Sequence, residues 1–253
     1  MRSLQASLLI VFSCLFLLTP AAAADCPRAD ALGTSRVMTV NPDQHPRVGI
    51  KSFPETLPLA DKEVVLTFDD GPVPATTSQV LRALAQECVR ATFFVVGQNA
   101  RAYPQLLRRM AEEGHTLAHH TYSHPNLKQV PFETALSNID QGIAAVEAVL
   151  RPTGLRSAPF FRFPYFESTP ALLDTLQSRH YAVFGADLWA SDWEHMTPDQ
   201  TYRKITERLT RSRKGIILFH DVQQRTAAMM PAFLQFLREN GYKVVHIVAA
   251  RQP

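Results

Sequence analysis

The amino-acid sequence predicts an α/β chain, an incomplete (β/α) barrel of about seven parallel strands. Three observations lead there. Between Glu63 and Val248, short apolar runs alternate with amphipathic stretches, and strands apolar along their whole length belong in parallel sheets covered by helices. Polar clusters follow different strands at their C-terminal ends, and a barrel gathers those ends on one face. An open doubly wound sheet also fits the alternation, but no Gly-rich phosphate loop follows the first strand, which weakens a nucleotide-binding reading.

The elements follow in chain order. Residues 1–24 have the layout of a secretory signal: Arg2, an apolar core from Leu8 to Leu18, and Ala22-Ala23-Ala24 as the small-residue cleavage pattern. The apolar core is short for a membrane span, so cleavage is expected to leave an exported chain, periplasmic or secreted, with no stable span. An uncleaved anchor is the other reading. Residues 25–61, rich in proline and poor in periodicity, read as an extended N-terminal arm wrapping a domain at 62–253.

Within that domain, Glu63–Phe68 is the first strand and Thr76–Glu87 an amphipathic helix. Ala91–Val96 is a strand bounded by Gly97, and Ala100–Glu113 is a helix ending at Gly114. His115–Ala118 is a short strand, and Pro131–Leu150 carries the longest helical pattern. Phe160–Phe163 and Ala182–Asp187 are strands separated by a helix over Thr169–Ser178. Thr197–Thr210 is helical, with Pro198 suited to its first turn. Gly215–Phe219 is the sixth strand, and Lys243–Val248 follows a last helix as the seventh.

Composition narrows the partners. The formal charge of +3 falls to +2 when Arg2 leaves with the signal, and charges of both signs are interspersed. The basic run Arg211-Ser212-Arg213-Lys214 reads as a solvated helix end, with no interleaved aromatics to stack bases, so nucleic acid is not an expected partner. Of the cysteines, Cys14 lies in the signal, leaving Cys26 and Cys88. They form either a disulfide, permitted in an oxidising compartment, or two unpaired thiols; neither has the setting of a nucleophile or metal ligand.

The chemistry gathers at five junctions. Asp69 and Asp70 close the first strand, where adjacent carboxylates at a buried strand end call for a cation nearby. His120 and His124, four apart, match a common arrangement for a divalent metal; with Asp70 they make two imidazoles and a carboxylate, a set suited to catalytic zinc, or to Co2+, Ni2+ or Fe2+. Asp69 then stands free to take a proton from an activated water, and Arg162 can pair with it. His115 reads as structural, and His119 as either a supporting group or an exposed one. The Tyr165 backbone amide, fixed by Pro164, can face the oxygen of a tetrahedral intermediate. His220, ending Ile216-Ile217-Leu218-Phe219, suits a general acid for a leaving amine, tuned by Asp192, with Trp193 lining a sugar groove or packing in the core.

In this order, Thr67-Phe68-Asp69-Asp70-Gly71, His120 to His124, Arg162-Phe163-Pro164-Tyr165, Asp192-Trp193 and Leu218-Phe219-His220 resemble the motifs of the polysaccharide deacetylases of carbohydrate esterase family four, the NodB-homology group. The resemblance runs from about Glu63 to Val248. It implies a distorted (β/α) barrel and metal-dependent removal of acetyl groups from N-acetylated sugars of the chitooligosaccharide or peptidoglycan type. It also implies Asp69 as base, Asp70, His120 and His124 as metal ligands, and Arg162 orienting the base. The Tyr165 amide would serve the oxyanion, and His220 would be the acid. Three positions depart from the pattern: Phe166 stands where glycine is usual, His119 where asparagine is common, and either Asp187 or Asp192 can take the acid-tuning role. An O-acetyl esterase acting on a glycan such as xylan, or a sugar-binding protein without turnover, are the alternative readings.

Overall fold

The computed structural model describes Cys26 and residues 28–250; the signal assigned to residues 1–24 lies outside them. Ten strands form one sheet: β1 (Thr34–Val40), β2 (Arg47–Val48), β3 (Glu63–Asp69), β4 (Thr92–Val95), β5 (Thr116–His119), β6 (Phe160–Phe161), β7 (Ala182–Phe184), β8 (Leu188–Trp189), β9 (Gly215–His220) and β10 (Lys243–Ala249). Every pairing is parallel. The wall runs β2-β7-β6-β5-β4-β3-β9-β8, and no ladder joins β8 back to β2 among the described residues. The barrel is therefore incomplete. Across the gap, the Lys51 N–H donates to the Ala186 carbonyl at 2.8 Å and the Ile50 N–H to Asp187 Oδ1 at 2.9 Å.

Side-chain alternation sorts the wall into an inner and an outer face. In β3, Val64, Leu66 and Phe68 join the outer core, whereas Val65 joins the inner one and Thr67 and Asp69 meet Arg162. In β9, Ile217 and Phe219 face the helices and Ile216 the interior. The outer helices are α1 (Pro74–Gln86), α2 (Gly97–Ala102), α3 (Pro104–Glu112), α4 (Phe132–Leu150), α5 (Pro170–Ser178), α6 (Pro198–Ser212) and α7 (Gln224–Glu239). A third apolar cluster lies under α4 and α5, with Phe161, Phe163, Ile139 and Leu176 fully or nearly buried. None of the described helices is long and apolar enough to cross a membrane.

The structure departs from the sequence reading at three elements. The helix expected over Ala100–Glu113 is two, because Pro104 offers no N–H and its ring excludes a continuous turn; Tyr103 ends α2 and precedes α3. The strand expected over Ala182–Asp187 stops at Phe184, and Leu188–Trp189 resumes beside β9. Gly185 lies at the break, packed so closely on Gly49 that a side chain has no room there. The arm also carries regular structure: β1 pairs with β10 from Thr34↔Val244 to Val40↔Ala249, and β2 pairs with β7. Meanwhile β10 touches β3 over only Lys243↔Glu63 and Val244↔Val64 before following β1. A Cys26–Cys88 disulfide, with Cα atoms 5.8 Å apart, ties the start of the arm to the end of α1.

Candidate metal centre and active site

The C-terminal strand ends converge on one cleft of about 460 Å³, which Asp69, Asp70, His120, His124, Tyr165, Trp193 and His220 all line. Asp70 Oδ1 lies 3.4 Å from His120 Nε2 and 3.3 Å from His124 Nε2. The three ligand atoms fall within 4.8 Å of one another. His120 Nδ1, 2.7 Å from the Arg162 carbonyl, carries the proton that this acceptor requires, so Nε2 presents its lone pair toward Asp70. Burial pushes the His120 imidazole down to about 3, which keeps it neutral. Asp70 Oδ1 is buried and has no hydrogen-bond partner among the described residues. An orphaned carboxylate oxygen facing the Nε2 atoms of two imidazoles is a donor set that a divalent cation completes.

The loop holding the histidines is braced from outside. Asn138 on α4 accepts the Tyr122 N–H at 2.9 Å and the Ser123 N–H at 3.2 Å, and the Thr121 hydroxyl accepts the His124 N–H at 3.0 Å. Asp70, Thr121, His124, Tyr165, Phe166 and Ser191 all have positive φ, between 56° and 80°, and all lie at or beside the cleft. Such backbone is costly for residues with a side chain and concentrates where loops must aim groups inward.

Asp69 and Arg162 form one wall. Arg162, expected either to orient a base or to form a surface ion pair, is fully buried. Its Nη1 donates to Asp69 Oδ1 at 2.7 Å and to the Thr67 hydroxyl at 2.9 Å, its Nη2 to the Gly185 carbonyl at 2.7 Å, and its guanidinium lies 4.1 Å from the Phe94 ring centre. Complete burial pushes the Asp69 carboxyl above its ordinary range, opposed by the Arg162 charge. Asp69 Oδ2 is 3.8 Å from His120 Nε2.

His220 and Asp192 form the opposite wall. Asp192, fully buried, accepts from the His220 backbone N–H and contacts its Nδ1, each at 2.7 Å, and takes the Thr226 hydroxyl at 2.5 Å. Burial works against a charge on His220, but the Asp192 carboxylate outweighs it and lifts the imidazole to about 9. Asp187 is elsewhere, accepting the backbone N–H groups of Ile50 and Ile216 and the Thr56 hydroxyl. Of the two aspartates, Asp192 is the one in contact with His220.

At the rim, Tyr165 is 64% exposed, with its ring edge-on to His124 at 4.8 Å. Its amide finds no acceptor outside its own turn among the described residues. Trp193 is 48% exposed and edge-on to His220 at 5.6 Å, so it lines the cleft rather than the core. His119 is buried, contacting the Ser157 hydroxyl at 2.9 Å outside the wall, and His115 is buried as the acceptor of the Ala91 N–H. Reading the sequence alone missed Thr67, Asn138 and Thr226. Thr67 was findable, since it shares a strand face with Asp69; Asn138 and Thr226 sit inside helices, where only the fold brings them near the site.

The family model for polysaccharide deacetylase matches residues 57–184. The chain is 33% identical over 211 residues to the peptidoglycan-N-acetylmuramic acid deacetylase PdaC of Bacillus subtilis, covering 81% of this chain and 42% of the relative. It is 32% identical over 196 residues to the chitin deacetylase of Colletotrichum lindemuthianum, covering 73% and 77%. Among solved structures, the Bdellovibrio bacteriovorus peptidoglycan deacetylase Bd3279 superposes with a TM-score of 0.78 at 32% identity, over 88% of this chain and 61% of that one. The chain thus spans less than half the length of PdaC. It belongs to the polysaccharide deacetylase family.

Proposed function

We propose that this protein is a metal-dependent N-deacetylase of an exported N-acetylated glycan, of the peptidoglycan or chitooligosaccharide type. The observation that carries this reading is the arrangement around Asp70 Oδ1: two imidazoles face it, with a buried Asp69–Arg162 pair on one side and a His220–Asp192 pair on the other. Asp70, His120 and His124 would hold the cation, zinc being the best match to two imidazoles and one carboxylate. When bound, such an ion supplies Lewis acidity, polarising an acetyl carbonyl and acidifying a water molecule.

The remaining work falls to side chains and backbone of this chain. Asp69, its carboxyl raised by burial and steered by Arg162, accepts the proton of the attacking water. The Tyr165 amide donates to the developing oxyanion. His220, held protonated at neutral pH by Asp192, delivers its proton to the departing sugar nitrogen. That last feature favours an amide over an acetyl ester, because an amine cannot leave without a proton whereas an alkoxide is less demanding. Tyr165 and Trp193 offer exposed aromatic faces for pyranose rings. The Cys26–Cys88 disulfide, which a reducing cytosol would not maintain, supports export.

The test is acetate release from N-acetylglucosamine oligomers and from peptidoglycan, before and after chelation and after zinc is restored. Release that stops with chelator and returns with zinc supports the reading. Release from acetylated xylan alone would replace it with the esterase, and binding without release from any of them with a sugar-binding protein.

A further inference from the structure

The loop that follows β2 carries a cation to the cleft that the mechanism does not use. Lys51 lines the cleft, with its ammonium 4.9 Å from the centre of the Trp189 ring. Trp189 is itself held: the Arg208 guanidinium lies 4.8 Å from the same ring and donates to the Trp189 carbonyl at 2.5 Å and to the Ser191 hydroxyl at 3.1 Å. The backbone under Lys51 is equally fixed. Its N–H donates to Ala186, the Ile50 N–H to Asp187, and Gly49 packs so tightly on Gly185 that an added Cβ would come within 2.6 Å of the Gly185 carbonyl carbon. Lys51 is thus anchored at its backbone and guided at its tip by an aromatic face.

What Lys51 lacks is a counter-ion. Among the described residues its ammonium forms no ion pair and no side-chain hydrogen bond; of the cleft carboxylates, Asp69 is paired with Arg162 and Asp70 faces the two imidazoles that would share a cation with it. An exposed lysine at the cleft rim, held by its backbone and a Trp face and free of any ion pair among the described residues, fits an anionic group on the substrate. We propose that Lys51 and Trp189 form an anion subsite next to the acetyl-reacting centre, which takes a carboxylate borne by the glycan. This rests on the deacetylase reading above and narrows its substrate to an acidic N-acetylated glycan. Such a carboxylate is offered either by a lactyl ether on the sugar or by a peptide attached to it.

The experiment compares wild type, Lys51→Met and Lys51→Arg on four substrates: neutral N-acetylglucosamine oligomers, peptide-free glycan strands with free lactyl carboxylates, the same strands with those carboxylates amidated, and strands bearing peptides. For wild type, kcat/KM is expected to be higher on carboxylate-bearing strands than on amidated ones. Lys51→Met is expected to lose roughly tenfold in kcat/KM on carboxylate strands, through KM, because a charge-assisted contact of that size is removed. On neutral oligomers it should change less than twofold, and Lys51→Arg should restore most of the loss. A loss confined to peptide-bearing strands would identify the peptide as the source of the carboxylate. An equal loss on charged and neutral substrates, or no loss on either, overturns the subsite. Calorimetric titration of the same strands into wild type and Lys51→Met decides the matter separately from turnover: absent acetate release sinks the deacetylase reading, while equal affinities sink the subsite.

Discussion

At the residue scale, the two aspartates of one dipeptide have opposite duties, and substitution separates them. Asp70→Ala should lose zinc retention, read by equilibrium dialysis, and activity with it. Asp69→Asn should keep zinc yet lose about 10²–10⁴-fold in kcat, the range of a removed general base; near-normal turnover would reject Asp69 as the base. His220 carries a prediction about pH. With its imidazole raised to about 9 from an ordinary 6.5, it contributes folding stability that is complete below about pH 6.5 and is lost as pH rises through about 9. NMR titration of the metal-free protein should place its midpoint well above 6.5, and Asp192→Asn should lower it markedly, because burial is then opposed only by the Asp70 and Asp69 charges. An unmoved midpoint in Asp192→Asn would remove Asp192 from the acid-tuning role. Asp69, Asp70 and His220 were legible because they close the apolar runs of β3 and β9; Asp192, in a loop beyond β8, has no such run to mark it. Lys51 was not legible, since a lysine in a proline-rich arm has no pattern to mark it.

At the element scale, the sequence reading located β3 to β7 and β9 of the wall and failed where neighbours decide. The apolar runs at β3, β4 and β9 are buried whichever strands flank them, which is why they could be read directly. By contrast, β1, β2 and β8 exist through partners far along the chain: Arg36 pairs with Val245, Arg47 with Val183, and Leu188 with Ile217. No local period announces a strand of two residues. The histidine loop makes the same point, because its shape depends on α4. A Cβ at Gly142 would lie 2.5 Å from the Thr121 carbonyl carbon, and backbone cannot yield as a side-chain tip can. Gly142→Ala should therefore displace the loop between His120 and His124 and weaken zinc affinity by about tenfold or more, as supporting positions around metal ligands do. Competition with a chromogenic chelator measures it; unchanged affinity would mean that the loop is set by Asn138 alone.

At the scale of the whole molecule, the arm is part of the fold. The Cys26–Cys88 bridge closes a loop with a sequence separation of 62, and the chain-entropy relation for that length gives roughly 4 kcal/mol of stabilisation. Reduction, or Cys88→Ser, should lower Tm by roughly 10 °C, as scanning calorimetry with and without reductant will show; an unchanged Tm would mean that β1 holds the arm unaided. The pairing of β1 with β10 reaches further. The first strand waits for the last, so loop closure across almost the entire domain precedes completion of that edge, and contacts of such range slow folding. That edge of the sheet therefore stays open, a docking place kept vacant for β1, until the final strand has been made.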